Sequence, residues 1–145
     1  MNNYELESEA IRISKYCHII CQVLSMHDEL STIKLIFIAF VVKTKGMYLG
    51  SIFSAGNTKF LDDKLTSIIN GDFDKYCKDI NVIIKALHLL ILNQNCKLEN
   101  GIIFLLSKKG FESKIYDDKT FIYNAVEYCK SMEDFQFLKE IVQNV

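Results

Sequence analysis

Residues able to do chemistry lie in several separate places along the chain. CHIIC (17–21) sets Cys17 and Cys21 four apart on one helix face, which is half of a zinc site. A structural zinc site takes four ligands, commonly as two close pairs, and His27, Cys77, His88, Cys96 and Cys129 stand singly. Cys17 also falls in an apolar stripe, where a thiol behaves as a small hydrophobe. No bound metal is expected. SAGNTK (54–59) has some of the texture of a phosphate loop, but the motif needs Lys and a hydroxyl directly after its second Gly. Gly56 is followed by Asn-Thr-Lys, and no Gly stands five residues upstream. A turn with a helix cap explains it better, so no nucleotide hydrolysis is expected.

His88 sits among Leu87, Leu89 and Leu90, as a core or boundary histidine does more often than a base. The pairs Asp62-Asp63 and Asp117-Asp118 are sequence neighbours, and neighbours on a helix do not face each other. Helix capping accounts for them better than paired-carboxylate catalysis. No nucleophile-and-base constellation is readable. Lys108 and Lys109, with Lys97 and Lys114 nearby, are the candidates for touching a nucleic-acid backbone, although an ordinary solvated turn looks the same.

These residues must be positioned by helices for the most part. Leu6, Ala10, Ile13, Cys17, Ile20 and Leu24 step by fours and threes, the mark of one helical stripe, widened by Ile11, Tyr16 and Val23. HDELS (27–31) breaks it, and Ser31 or Thr32 can cap a second helix. That second helix holds STIKLIFIAFVVKTK (31–45), greasy enough to suggest a membrane. Its apolar run, 35–42, is about half the roughly 20 residues needed to span one, and Lys34 and Lys43 flank it. A short helix that is apolar all round is a buried central helix.

GMYLGSIFSAGNTK (46–59) has no clear period, and helical spacing returns with Leu61, Leu65, Ile68 and Ile69 up to a stop at Asn70-Gly71. The strongest period runs from Phe73 through Tyr76, Ile80, Ile83, Leu87 and Leu90 to about Asn93, after a cap at Asp72. The texture then changes. Asn100-Gly101 and Lys108-Lys109-Gly110 are turn signals between short apolar runs. They predict that 102–107 pairs with 111–116, with 97–99 as a third strand. Asp117 or Asp118 caps a helix through Ile122, Ala125, Val126 and Cys129. Ser131 and Asp134 have the spacing of a capping box for a last helix. In that helix Leu138 and Ile141 read as packed. Phe137 and Val145 are left for a second surface, with Ile141 adding to the apolar surplus. The chain thus reads as a mainly α, compact single domain over 1–145. A small β-hairpin precedes the last two helices, an order that also fits a winged helix.

Composition narrows the function classes. Half of the 145 residues are hydrophobic, enough for a real core and against disorder. Net charge is −1, which gives no long-range pull toward nucleic acid or anionic membrane. Arg12 is the sole Arg, and scarce Arg weighs against bidentate reading of guanine. Five scattered Cys and a polar, acidic opening predict reduced thiols in a cytosol.

The stretches NNYELESEAIRISKY (2–16), INGDFDKYCKDINVIIKALHLLILN (69–93) and FLKEIVQNV (137–145) together resemble the small middle components of bacterial ABC-three-component systems. In such systems a short protein is encoded between an SMC- or Rad50-like ATPase and an effector. The resemblance implies a non-enzymatic adaptor without cofactor, bridging that ATPase and an effector such as a nuclease in anti-phage defence. It also implies Arg12, Lys15, Lys139, Glu140 and Asn144 as interface positions, beside the apolar Phe137, Ile141 and Val145. The alternatives are a winged-helix DNA-binding regulator, with a basic face around the hairpin, and a small immunity-type inhibitor, with an acidic concave patch.

Overall fold

The computed structural model describes residues 3–52, 73–108 and 121–143. Helix α1 (Asn3–His27) leads to a short strand β1 (Glu29–Ser31) and helix α2 (Thr32–Ile52). Helix α3 (Phe73–Leu92) is followed by strands β2 (Cys96–Glu99) and β3 (Ile102–Leu105), then helices α4 (Phe121–Ser131) and α5 (Asp134–Gln143). The architecture is mainly helical with one small antiparallel sheet. Of residues 35–42, all but Ile36 are buried, and α2 packs against α1, α3, α4 and α5. The all-round apolar stretch is therefore the axis of the core. No described helix is long and apolar enough to cross a membrane.

The stripe of α1 divides. Tyr16, Ile20, Cys21, Val23 and Leu24 are buried, whereas Leu6 and Ile11 are exposed. Asp28 ends the helix in a left-handed conformation (φ 68°), which a short polar side chain tolerates. Its N–H still donates to the Leu24 carbonyl at 2.9 Å. On α3, Tyr76, Val82, Ile83, Ala86, Leu87 and Leu90 are buried at helical spacing. A Schellman motif stops it: Gln94 (φ 62°) donates to Ile91 O at 3.1 Å, and Asn95 donates to Leu90 O at 2.9 Å.

Asn100 (φ 53°) and Gly101 (φ 78°) both take positive φ, as the tight turn of a two-residue hairpin requires. That turn joins β2 to β3, with Lys97 opposite Phe104 and Glu99 opposite Ile102. The strand order is β1-β3-β2, with Leu30 opposite Ile103 on the other edge of β3. This corrects the expected pairing. The 102–107 run pairs with 96–99 and with 29–31, so both edges of β3 are occupied. The 111–116 segment lies outside the described residues, as do Asp117 and Asp118. HDELS is not merely a break, because Glu29–Ser31 forms the third strand. Ser31 does begin α2, its hydroxyl accepting from Lys34 N–H at 3.4 Å.

The last two helices carry two more corrections. Ser131 forms no capping box. Its hydroxyl donates back to Tyr128 O at 2.7 Å within α4, and Phe137 N–H donates to Glu133 O at 2.9 Å at the start of α5. On α5, Phe137 and Leu138 also exchange the places assigned to them from the sequence, while Ile141 packs as expected. Phe137 and Ile141 are core, and Leu138 faces outward. Phe137 meets the Phe37 ring edge-on at 5.3 Å, and Phe37 meets Tyr76 at 5.8 Å. This aromatic chain ties α5 through α2 to α3.

Candidate functional site

A buried carboxylate ties α1, α2 and α3 together. Asp79 stands on the buried face of α3, one turn from Tyr76 and Ile83, and is only 3% exposed. A charge there must be paired and hydrogen-bonded. Arg12 of α1 reaches Oδ1 at 2.5 Å, and the Tyr16 hydroxyl donates to Oδ2 at 2.6 Å. Lys43 of α2 approaches Oδ2 at 3.4 Å and lies 4.8 Å from the centre of the Tyr16 ring. Burial pushes the Asp79 pKa up, but the Tyr16 hydrogen bond and the two cations outweigh it and hold the carboxyl below its ordinary value. Burial first, and then the bond to Asp79, push the Tyr16 phenol up. Asp79 is thus an anion and Tyr16 a neutral donor.

Beside this cluster, Ser14, Lys15, His18 and Ile19 of α1 face Val42 and Lys43 of α2 across a cavity of about 670 Å³. Lys15, His18 and Ile19 share one turn of α1. No described residue lining the cavity is acidic.

A second set of buried polar groups holds the other side of α2. Lys34 is 5% exposed. Its ammonium donates to the carbonyls of Met132 and of Lys130, the latter at 3.3 Å, and lies 3.6 Å from Asp134 Oδ1. It therefore closes the end of α4 and grips the start of α5. Neither Lys34 nor Lys43 is a solvated flank of the apolar run. His27 is fully buried, with Nδ1 2.7 Å from Glu127 Oε1 and its ring 4.7 Å from that of Tyr123, tilted by 33°. Burial lowers its pKa against the opposing pull of Glu127, so the neutral imidazole donates to that carboxylate. Lys130 donates to the His27 carbonyl at 2.6 Å and so closes α1.

All five cysteines are free. Cys17 and Cys21 lie near Cys96 rather than standing apart from it. A hydrogen bond to Cys96, together with burial, pushes the Cys21 thiol up, and burial pushes Cys17 up. Such thiols are poor nucleophiles. Among the described residues no three His, Cys, Asp or Glu side chains come together as metal ligands. His88 is exposed on α3.

The positions singled out in the sequence are scattered. Arg12 belongs to the Asp79 cluster, and Lys15 lines the cavity beside it. Phe137 and Ile141 are withdrawn as surface contacts, because they fill the core. Lys139 is exposed, and Glu140 is half-buried and accepts from Gln136 at 3.3 Å. Lys108 is exposed and paired with Asp28. Lys109, Asn144, Val145 and the SAGNTK stretch lie outside the described residues. Residue spacing left Asp79, Tyr16 and Lys43 unrecognised as a cluster. The available signal was an Asp on the apolar face of the most periodic helix.

The outer face of α5 is the other notable surface. Phe135, Leu138 and Val142 are 78%, 39% and 65% exposed, and they line one side of the helix. No family model matches the chain, and no curated protein or solved structure matches it either.

Proposed function

We propose that this chain is a non-enzymatic accessory subunit, an adaptor linking an SMC- or Rad50-like ATPase to an effector in bacterial anti-phage defence. The outward apolar stripe of α5 carries the reading. A helix this short with Phe137 and Ile141 in the core has no need of Phe135, Leu138 and Val142 for its own packing. A partner that covers them gains the burial that water denies them. The buried titratable groups also suit scaffolding: Asp79, Lys34 and His27 each hold helices together rather than activate a nucleophile. The family resemblance supplies the partner class. Five free thiols suit a cytosolic location.

The reading requires an SMC- or Rad50-like coiled-coil ATPase in the gene neighbourhood, and the test is co-expression with it. The double variant Phe135→Ser with Val142→Asp should lose co-purification and keep the melting temperature of the parent. Full retention of the partner by that variant would remove α5 as the docking face.

A winged-helix regulator is the second reading, and the sheet favours it. A strand between the first two helices pairs with the second strand of a later hairpin, in the order β1-β3-β2. The charges near that hairpin are compensated, however: Lys97 pairs with Glu99 at 2.7 Å, and Lys108 with Asp28. Among the described residues of the hairpin, few phosphate contacts remain to drive DNA binding. Sequence-selective, submicromolar DNA binding at physiological salt would place this reading first.

A further inference from the structure

The cavity between α1 and α2 has a charge pattern that the adaptor reading does not use. Asp79 beside it already has close partners on both oxygens, Arg12 at 2.5 Å and Tyr16 at 2.6 Å. Lys43 stands farther off at 3.4 Å, so its ammonium keeps donors to offer elsewhere. It also lines the cavity. Lys15 lines the same cavity, is exposed, and makes no ion pair among the described residues. Lys15 and Lys43 line the cavity and Asp79 stands against Lys43, so two positive charges less one negative leave an excess of one. Arg12 lies outside the lining, in a neighbouring cleft with Glu5 and Glu9. The Ser14 hydroxyl and the His18 imidazole add hydrogen-bonding groups. Ile19 and Val42 supply apolar wall. On a chain of net charge −1, this is a local concentration of positive charge beside apolar surface.

We infer that this cavity binds a small phosphorylated molecule with an apolar or flat body, held by Lys15 and Lys43 at the phosphate and by Ile19 and Val42 along the body. A phosphate monoester carries about −1.5 to −2 charge at pH 7, which the Lys15 and Lys43 ammoniums oppose. Lysine serves phosphate well as a point charge. The volume, about 670 Å³, falls within the range of small-molecule sites. The inference stands whether or not the chain is an adaptor. It concerns binding alone and involves no bond-breaking step.

Calorimetric titration of the full chain with ADP and, separately, with pyrophosphate tests it. ADP should bind at one site with a Kd below about 100 μM, and pyrophosphate should bind more weakly by about tenfold. Lys15→Glu should weaken ADP by at least about tenfold while the melting temperature holds, because Lys15 is exposed. His18→Gln should weaken it less. Lys97→Glu, on β2, serves as the control and should leave binding unchanged. Absence of ADP binding at about 1 mM would overturn the site. So would a Lys15→Glu variant that binds like the parent. Pyrophosphate binding as tightly as ADP would overturn the apolar-bodied ligand, because Ile19 and Val42 would then contribute nothing.

Discussion

Asp79 and Lys34 are both buried charges contacting α2 or belonging to it, yet they are satisfied in different ways. Asp79 is matched by ions: Arg12 and Lys43 converge on it from two other helices, and Tyr16 adds a hydrogen bond. Lys34 is matched mainly by backbone: the carbonyls of Lys130 and Met132 take its protons, and Asp134 stands at 3.6 Å, partly in solvent. The first arrangement is a lock between three long helices. The second is a cap on two short ones. Removing a charge from the lock leaves opposite charges uncompensated in a partly buried place. Removing it from the cap leaves carbonyls, which water can reach more cheaply.

The largest expected effect is therefore at Asp79. Asp79→Ala should lower unfolding free energy by about 3–5 kcal/mol, the range for breaking a buried pair from one side. Arg12 is partly exposed and can rehydrate, which favours the lower end. Urea denaturation of parent and variant measures it. The effect should depend on pH in a defined sense. The folded pKa of Asp79 lies below the unfolded carboxylate value of about 3.9. Its contribution is thus fully present above that value and is lost as pH falls through the folded pKa. The gap between parent and variant should be widest near neutrality and close in acid. A gap that is constant with pH would mean that Asp79 acts through packing alone.

Lys34 should matter less. Lys34→Met keeps the apolar stem and removes the ammonium, so about 1–3 kcal/mol is expected, the cost of unsatisfied buried carbonyls. Hydrogen exchange should show the loss concentrated in α4 and α5, with α1 and α3 largely protected. Uniform loss of protection would place Lys34 in the same lock as Asp79 and dissolve the contrast between them.

Both residues also show where sequence pattern stops informing. Helices α1 and α3 are legible because apolar residues recur over about five turns, and α2 because its 35–42 run is apolar all round. The part of α2 over 46–52 shows no clear period and is not legible. The Asn100-Gly101 turn is legible because its backbone needs those residue types. Three-residue β1 is too short to show alternation, and without it the pairing of β3 cannot be assigned. Asp79 and Lys34 are visible as charges within apolar stripes, but their partners are 67 and 96 positions away in Arg12 and Lys130. No local spacing links residues so distant. The cavity beside Asp79 is hidden for the same reason, since Lys43 joins Lys15 only when α2 packs against α1.

The smallest expected effect tests what the Lys34 cap does for α5. With apolar residues on both sides of that helix, local pattern makes Leu138 core and Phe137 outward, and the structure shows the reverse. Two contacts set the rotation. Lys34 holds the chain at Met132 and Asp134, and Phe37 receives the Phe137 ring edge-on. With the first turn fixed and Phe137 turned inward, Leu138 must point away, because successive helical residues lie about 100° apart. Leu138→Ala should then shift stability by no more than about 0.5 kcal/mol, as surface changes do. A core position would cost about 2–5 kcal/mol for the same substitution. Measured by urea denaturation, a loss in the core range would mean that α5 sits rotated from the described position, with Phe135 and Val142 no longer sharing an outward stripe with Leu138. A near-silent Leu138→Ala that also weakens co-purification with the proposed ATPase partner would place Leu138 on the proposed docking face rather than in the core.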